Sequence, residues 1–181
     1  MALVAGTGVF LALGIDGGGS GGGRDTEGAS APDTTPTTAA SAAGKPCVPV
    51  ADPLPAGAPE VPVEVGPPPE GLLVRDLEAG TGAEVTPGDT VTVHYVGVAC
   101  STGRVFDSSY QRGRPATFPL SGVIPGWRDG LVGMKVGGTR LLGVPPDAAY
   151  GSAGSPPAIG PDETLWFVVR LVETSTSAVE P

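Results

Sequence analysis

The stretch "TVTVHYV", Thr90 to Val96, alternates without a break, and no other feature of the chain constrains the fold more tightly. A period of two places Val91, Val93 and Tyr95 on one face of a strand and Thr92, His94 and Val96 on the other. Tyr95 is therefore expected to point into a core. "STG" at Ser101 to Gly103 is a turn signal, and the following "RVFDSS" reads as the return strand of a hairpin, with Phe106 and Asp107 where that strand ends.

Further along, "PGWRDGLVGM" sets Pro125 at a first helical position and Ile124, Trp127 and Leu131 along one helical face. "TRLLGV" and "TLWFVVRLVE" read as strands. The second is long enough to be central, with Leu165, Phe167, Val169 and Leu171 on one face. A single short helix among several strands implies an α+β domain whose antiparallel sheet wraps the helix.

None of this periodicity exists before Gly71. The chain has 181 residues, including 30 glycines and 21 prolines, which is one domain of about 100 to 150 residues plus a tail. Residues 16–70 hold "DGGGSGGG", "TTPTTAASAA" and "VPVEVGPPPEG" and are expected to form a disordered linker, flexible where Gly and Ser dominate and stiff where Pro does. A tether to a membrane or cell wall would use both kinds of segment; a leader without a role fits the same composition. Residues 1–15 are uncharged and largely apolar, too short to span a bilayer but long enough for a signal core. An export or anchoring remnant is expected there, with a frayed apolar terminus as the alternative. The folded domain is expected over 71–175, with a short tail over 176–181.

Charge excludes one class of partner. The formal net charge is -9 and the sequence pI is about 4.4. Lys and Arg are nowhere clustered, so the counterion release on which nucleic-acid binding depends has no surface to act from. The two cysteines, Cys47 and Cys100, are too few and too far apart for a zinc cluster. A disulfide pinning the linker to the hairpin is expected, against two free thiols. His94 is the only histidine, so any Ser-His-Asp or Cys-His machinery must use it; no "GxSxG" accompanies it, and a structural role is expected. "GGGSGGG" lies between no strand and helix and has no following Lys-Ser/Thr, so it is no phosphate loop.

The apolar and aromatic residues Tyr95, Phe106, Val123, Ile124, Trp127, Tyr150, Ile159 and Phe167 form the sharper constellation. Singly each reads as core. Asp107, Arg112 and the two tyrosine hydroxyls add a few polar groups to an otherwise greasy set, as pockets for small molecules and peptides do.

In order and spacing, "VTVHYVG", "VFDSS", "VIPGWRDGLVGMKVGG", "PPDAAYG" and "DETLWFVVRLVE" resemble the FKBP-type peptidyl-prolyl cis-trans isomerases over about Gly71 to Glu173. The resemblance implies a five- to six-stranded antiparallel sheet curled around one short helix. It also implies a prolyl pocket with Trp127 as floor and Tyr95, Phe106, Val123, Ile124, Ile159 and Phe167 as walls. By the same carry-over, Tyr150 and the backbone N–H of Ile124 would bond substrate carbonyls, and Asp107, held at the rim by Tyr95 and Arg112, would orient and polarise rather than donate a proton. The catalytic set would be Tyr95, Asp107 and Tyr150. Proline-containing polypeptides are the implied substrates and macrolides the implied inhibitors, with no metal or cofactor and a monomer as the default. Ala116 stands where the family commonly has an aromatic, and Ser155 and Ala158 replace bulkier residues, which predicts a wider pocket on that side.

Such a pocket suits the chemistry. Rotation about an X–Pro bond breaks no covalent bond, and the planar amide is more polar than the twisted one, so an apolar wall favours the twisted state. An extracytoplasmic isomerase is the first reading. A binding module of the same fold with little turnover is the second, and a hydrolase using His94 the third.

Overall fold

The computed structural model describes residues 40–176. The apolar segment 1–15, the expected linker as far as residue 39 and the tail from residue 177 lie outside the described residues. Six strands form one antiparallel sheet: β1 (Leu73–Glu78), β2 (Thr90–Ala99), β3 (Val105–Ser108), β4 (Ala116–Pro119), β5 (Thr139–Val144) and β6 (Leu165–Ser175). The order is β1-β5-β6-β2-β3, with β4 also on β2. Since β6 pairs with β2 along its whole length, β3 and β4 share the opposite edge of β2, β4 beside Thr90–Val93 and β3 beside Val96–Val98. This is the antiparallel sheet that the family resemblance implies, four of its strands being legible in the sequence pattern, and the one α-helix among the described residues is α1 (Pro125–Leu131).

The alternation in β2 sorts its side chains as expected. Val91, Val93 and Tyr95 join Trp127, Leu131, Phe167, Val169 and Leu171 in the core between sheet and helix. Pro125 opens the helix at a position where the missing N–H costs nothing. Gly126 lets the helix lie directly on β5, because a Cβ there would sit 2.3 Å from Val144 Cγ1. Arg140 on β5 then fastens the helix end: its side chain is only 8% exposed and donates to the carbonyls of Gly130 (2.9 Å) and Val132 (3.2 Å) while pairing with Asp76. A buried cation facing the last carbonyls of a helix is electrostatically favourable.

Part of the opposite face of the sheet is buried as well, which the sequence pattern does not predict. From residue 40 the expected linker is a packed arm. Cys47 and Val61 are buried against Val96, Val98, Leu141, Trp166 and Val168. Cys47 is bonded to Cys100, and the Trp166 indole N–H donates to Cys47 Sγ at 3.3 Å. The arm also satisfies its own backbone groups, which is why a Pro-rich chain can lie there. Cys47 and Gly66 exchange both amide hydrogen bonds, Val48 N–H donates to Cys100 O, and Ala51 N–H donates to Gly103 O. Asp52 accepts from the Val105 amide at 3.0 Å, so the arm touches the start of β3.

Asp89 closes the lower end of the sheet. Its buried carboxylate accepts from Thr86 N–H and Thr86 Oγ1 (2.9 Å each) and from Thr174 Oγ1 (3.0 Å). The Thr86 amide, against the opposing effect of burial, holds its pKa below the ordinary carboxylate range. A depressed folded-state pKa stabilises the fold above the unfolded carboxyl's pKa of about 4 and loses that contribution as pH falls through the folded value. Asp89→Asn is therefore expected to lower stability at neutral pH and to flatten its decline below about pH 4. Urea midpoints measured between neutral and acidic pH check both effects, and parallel curves for variant and parent would contradict the assignment.

Candidate active site

The site is assembled from β2, β3, β4, β6 and the N-terminus of α1. The indole of Trp127 is fully buried and stands perpendicular to three rings: Tyr95 at 5.2 Å and 89°, Phe167 at 5.3 Å and 82°, and Phe118 at 5.7 Å and 90°. Phe106 extends the set, meeting Phe167 edge-on at 5.5 Å. Edge-to-face placement matches the positive ring edge to the negative ring face. Gly97 makes room for the Phe106–Phe167 pair, since a Cβ there would lie 2.6 Å from Phe106 Cζ and 2.9 Å from Phe167 Cε1. Val123, Ile124 and Tyr150 pack half-buried around this core, and Ile159 is buried in it.

Beside the rings lies a closed polar triangle. Tyr95 Oη donates to Asp107 Oδ2, Arg112 Nη1 donates to Asp107 Oδ1 at 2.5 Å, and Arg112 Nη2 donates to Tyr95 Oη at 2.7 Å. Burial first, then the Asp107 carboxylate, pushes the Tyr95 phenol well above its ordinary pKa, so it remains a donor. Burial opposes the Arg112 charge, but its bonds to Asp107 and Tyr95 outweigh that and raise its pKa. Asp107 is thus committed as an acceptor on both oxygens. Burial, followed by the Asp107 charge, also raises the Tyr150 pKa.

Two donors stay open. Among the described residues, neither the Tyr150 hydroxyl nor the Ile124 amide donates in any hydrogen bond, whereas the Ile124 carbonyl accepts from Trp127 and Arg128 at the first turn of α1. The Trp127 Nε1–H is buried and meets no acceptor.

The loop from β3 to β4 that carries Arg112 is anchored by its serines. Ser109 Oγ accepts the Tyr95 amide at 2.9 Å and sits 3.1 Å from His94 Nδ1, and the His94 ring stacks on Tyr110 at 4.9 Å. His94 thus meets a serine, but that serine is fully buried and already bonded to the strand. The pair braces the loop.

All the sequence-predicted pocket residues meet in one neighbourhood, with Arg112 at its polar edge. Phe118 was absent from the expected set. Its ring lies 6.0 Å from Tyr95 as well as against Trp127, on β4 two residues beyond the small Ala116. The signal was the Ala116/Phe118 alternation, obscured by the prolines that flank it.

Comparisons with known proteins agree with this geometry. The family model for FKBP-type peptidyl-prolyl cis-trans isomerase matches residues 82–172. An FK506-binding protein of Streptomyces anulatus is 50% identical over 117 residues, covering 63% of this chain and 94% of its own length. The outer membrane protein MIP of Legionella longbeachae is 47% identical over 112 residues, 61% of this chain. The crystal structure of FkpA from Escherichia coli superposes with a TM-score of 0.56 at 45% identity over 59% of this chain. The chain spans 47% and 49% of the lengths of these last two. With the family's motifs, its sheet and its ring cluster all present in one continuous domain, the chain belongs to the FKBP-type peptidyl-prolyl cis-trans isomerases.

Proposed function

We propose that the ring cluster over Trp127 receives the pyrrolidine of an X–Pro segment in a polypeptide and speeds rotation of its amide by desolvation, shape and two or three hydrogen bonds. The observation that carries this reading is the indole flanked at right angles by Tyr95, Phe118 and Phe167, with a fixed carboxylate beside it. Unaided X–Pro rotation takes tens of seconds or more. Raising about 0.01 per second to hundreds per second needs roughly 6 kcal/mol, at about 1.4 kcal/mol per tenfold. Apolar walls supply part of it by favouring the less polar twisted amide. The remainder comes from Tyr150 and the Ile124 amide on substrate carbonyls, and from the field of Asp107, whose two oxygens are held by Tyr95 and Arg112. Asp107 moves no proton in this scheme.

A protease-coupled isomerisation assay on a short X–Pro peptide tests the scheme. Tyr150→Phe removes one substrate hydrogen bond of about 1 kcal/mol and is expected to lower kcat/KM about fivefold with an unchanged melting temperature. An unaltered kcat/KM would remove Tyr150 from the site; intact peptide binding without any acceleration by the parent protein would make the domain a prolyl-binding module. Macrolides that present a proline-like ring are expected to occupy the same cluster and compete with peptide.

Export is the second part of the proposal. It is supported by the Cys47–Cys100 disulfide, which is stable in oxidising compartments, and by the outer membrane protein among the relatives. Monomeric action on proline-containing chains, with the residues before 40 as a tether, completes the reading.

A further inference from the structure

A cleft of about 500 Å3 opens at Phe106, and neither Phe167 nor Trp127 lines it. Phe106 is its shared wall: one ring bounds both the ring cluster and this cleft. The remaining walls come from the β2–β3 turn, from Pro157 and Ala158, and from the arm through Lys45.

The charges in the cleft run against those of the whole chain, whose net charge is -9. Lys45 is exposed and, among the described residues, enters no ion pair. Arg104 has a side chain 74% exposed and only a loose pairing with Asp52 at 3.7 Å. The one carboxylate in the wall, Glu163, is buried and turned to the protein: one oxygen accepts the Ser101 amide and the other the Ser101 hydroxyl, each at 2.7 Å. Two cations therefore face solvent while the anion is tied down.

We infer that this cleft is a substrate subsite for a residue flanking the proline, that it takes an acidic side chain, and that Lys45 and Arg104 determine this preference. The inference rests on the prolyl reading of the ring cluster, because the cleft matters to catalysis only if a peptide crosses Phe106. Lys45 comes from the arm two residues before Cys47, so the disulfide to Cys100 holds it at the cleft. The subsite is thus a joint product of the arm and the isomerase domain.

The test uses the full chain and short proline peptides bearing Glu, Ala or Lys in turn on each side of the proline, assayed at low ionic strength. At one of the two positions kcat/KM is expected to fall in the order Glu, Ala, Lys, with Glu about fivefold above Ala and the difference mainly in KM, as two exposed ion pairs allow. Salt at about 1 M should erase the difference, since it screens exposed charges within a few ångströms. The double variant Lys45→Glu, Arg104→Glu changes exposed residues outside the ring cluster, so it should keep the parent's rate on the Ala peptide and invert the order of Glu and Lys. Equal rates for all three peptides in the parent, or a Glu preference that survives the double variant, would overturn the subsite while leaving the prolyl site standing. Failure to accelerate even the Ala peptide would overturn both.

Discussion

Trp127→Ala is expected to weaken the fold by about 3 to 5 kcal/mol and to weaken prolyl-ligand binding at least tenfold in the same variant. The indole is the hub of the ring cluster: it is fully buried and three rings stand on it at right angles. Truncation leaves a cavity that those rings cannot close without abandoning their edge-to-face geometry, worth about 0.5 to 1.5 kcal/mol per pair beyond area. It also removes the buried floor that holds the rings against which a pyrrolidine would pack. Urea denaturation gives the first quantity and calorimetric titration with a prolyl ligand the second. Leu171→Ala separates the two effects, because Leu171 is buried in the same core on β6 but sits four residues beyond Phe167, opposite Val93. That control should lose stability by about 2 to 5 kcal/mol and keep its ligand affinity. Unchanged affinity in Trp127→Ala would remove the indole from the binding site.

Losing the disulfide is the second large change. Cys47 and Cys100 are 53 residues apart, and closing a loop of that length contributes about 4 kcal/mol in the chain-entropy model. Cys47→Ser with Cys100→Ser, or reduction of the parent, should lower the urea midpoint accordingly and free the arm from Val61 back to residue 40. Turnover of a neutral proline peptide should suffer far less, since the ring cluster is on the other face of the sheet. A midpoint indifferent to reductant would mean that the arm's hydrogen bonds and buried valines suffice without the covalent link.

What could be read from the sequence, and what could not, follows burial. β2 shows its alternation because its first half meets the helix core on one face and more polar surroundings on the other. β6 shows as an apolar run because five successive residues from Leu165 to Val169 are buried between the core and the arm. β1 carries no such signal: five of its six residues are exposed at the sheet edge, so "LVRDLE" has no period to detect. β4 is four residues long, and its proline neighbours mask Phe118. The ring cluster itself was visible through the few polar groups set among its apolar residues and through the motifs that carry the family resemblance, whereas the arm hid its order. Its contacts are isolated residues, Cys47 and Val61, separated by proline and glycine with no repeat. Cys47 was the one mark of attachment, and it specified a partner without revealing the packing between. The arm's cation at the cleft could not be seen either, since Lys45 and Arg104 are far apart in the chain and adjoin only through the fold.

The two tryptophans occupy opposite sides of the sheet, and their photophysics should differ accordingly. Trp127 lies in the ring cluster, where ligand would dock, while Trp166 points its N–H at Cys47 Sγ. A disulfide accepts an electron from an excited indole, so Trp166 should be dark in the oxidised protein and brighten when the bond opens. The emission of a single unlabelled sample then carries two signals, one for occupancy and one for oxidation state.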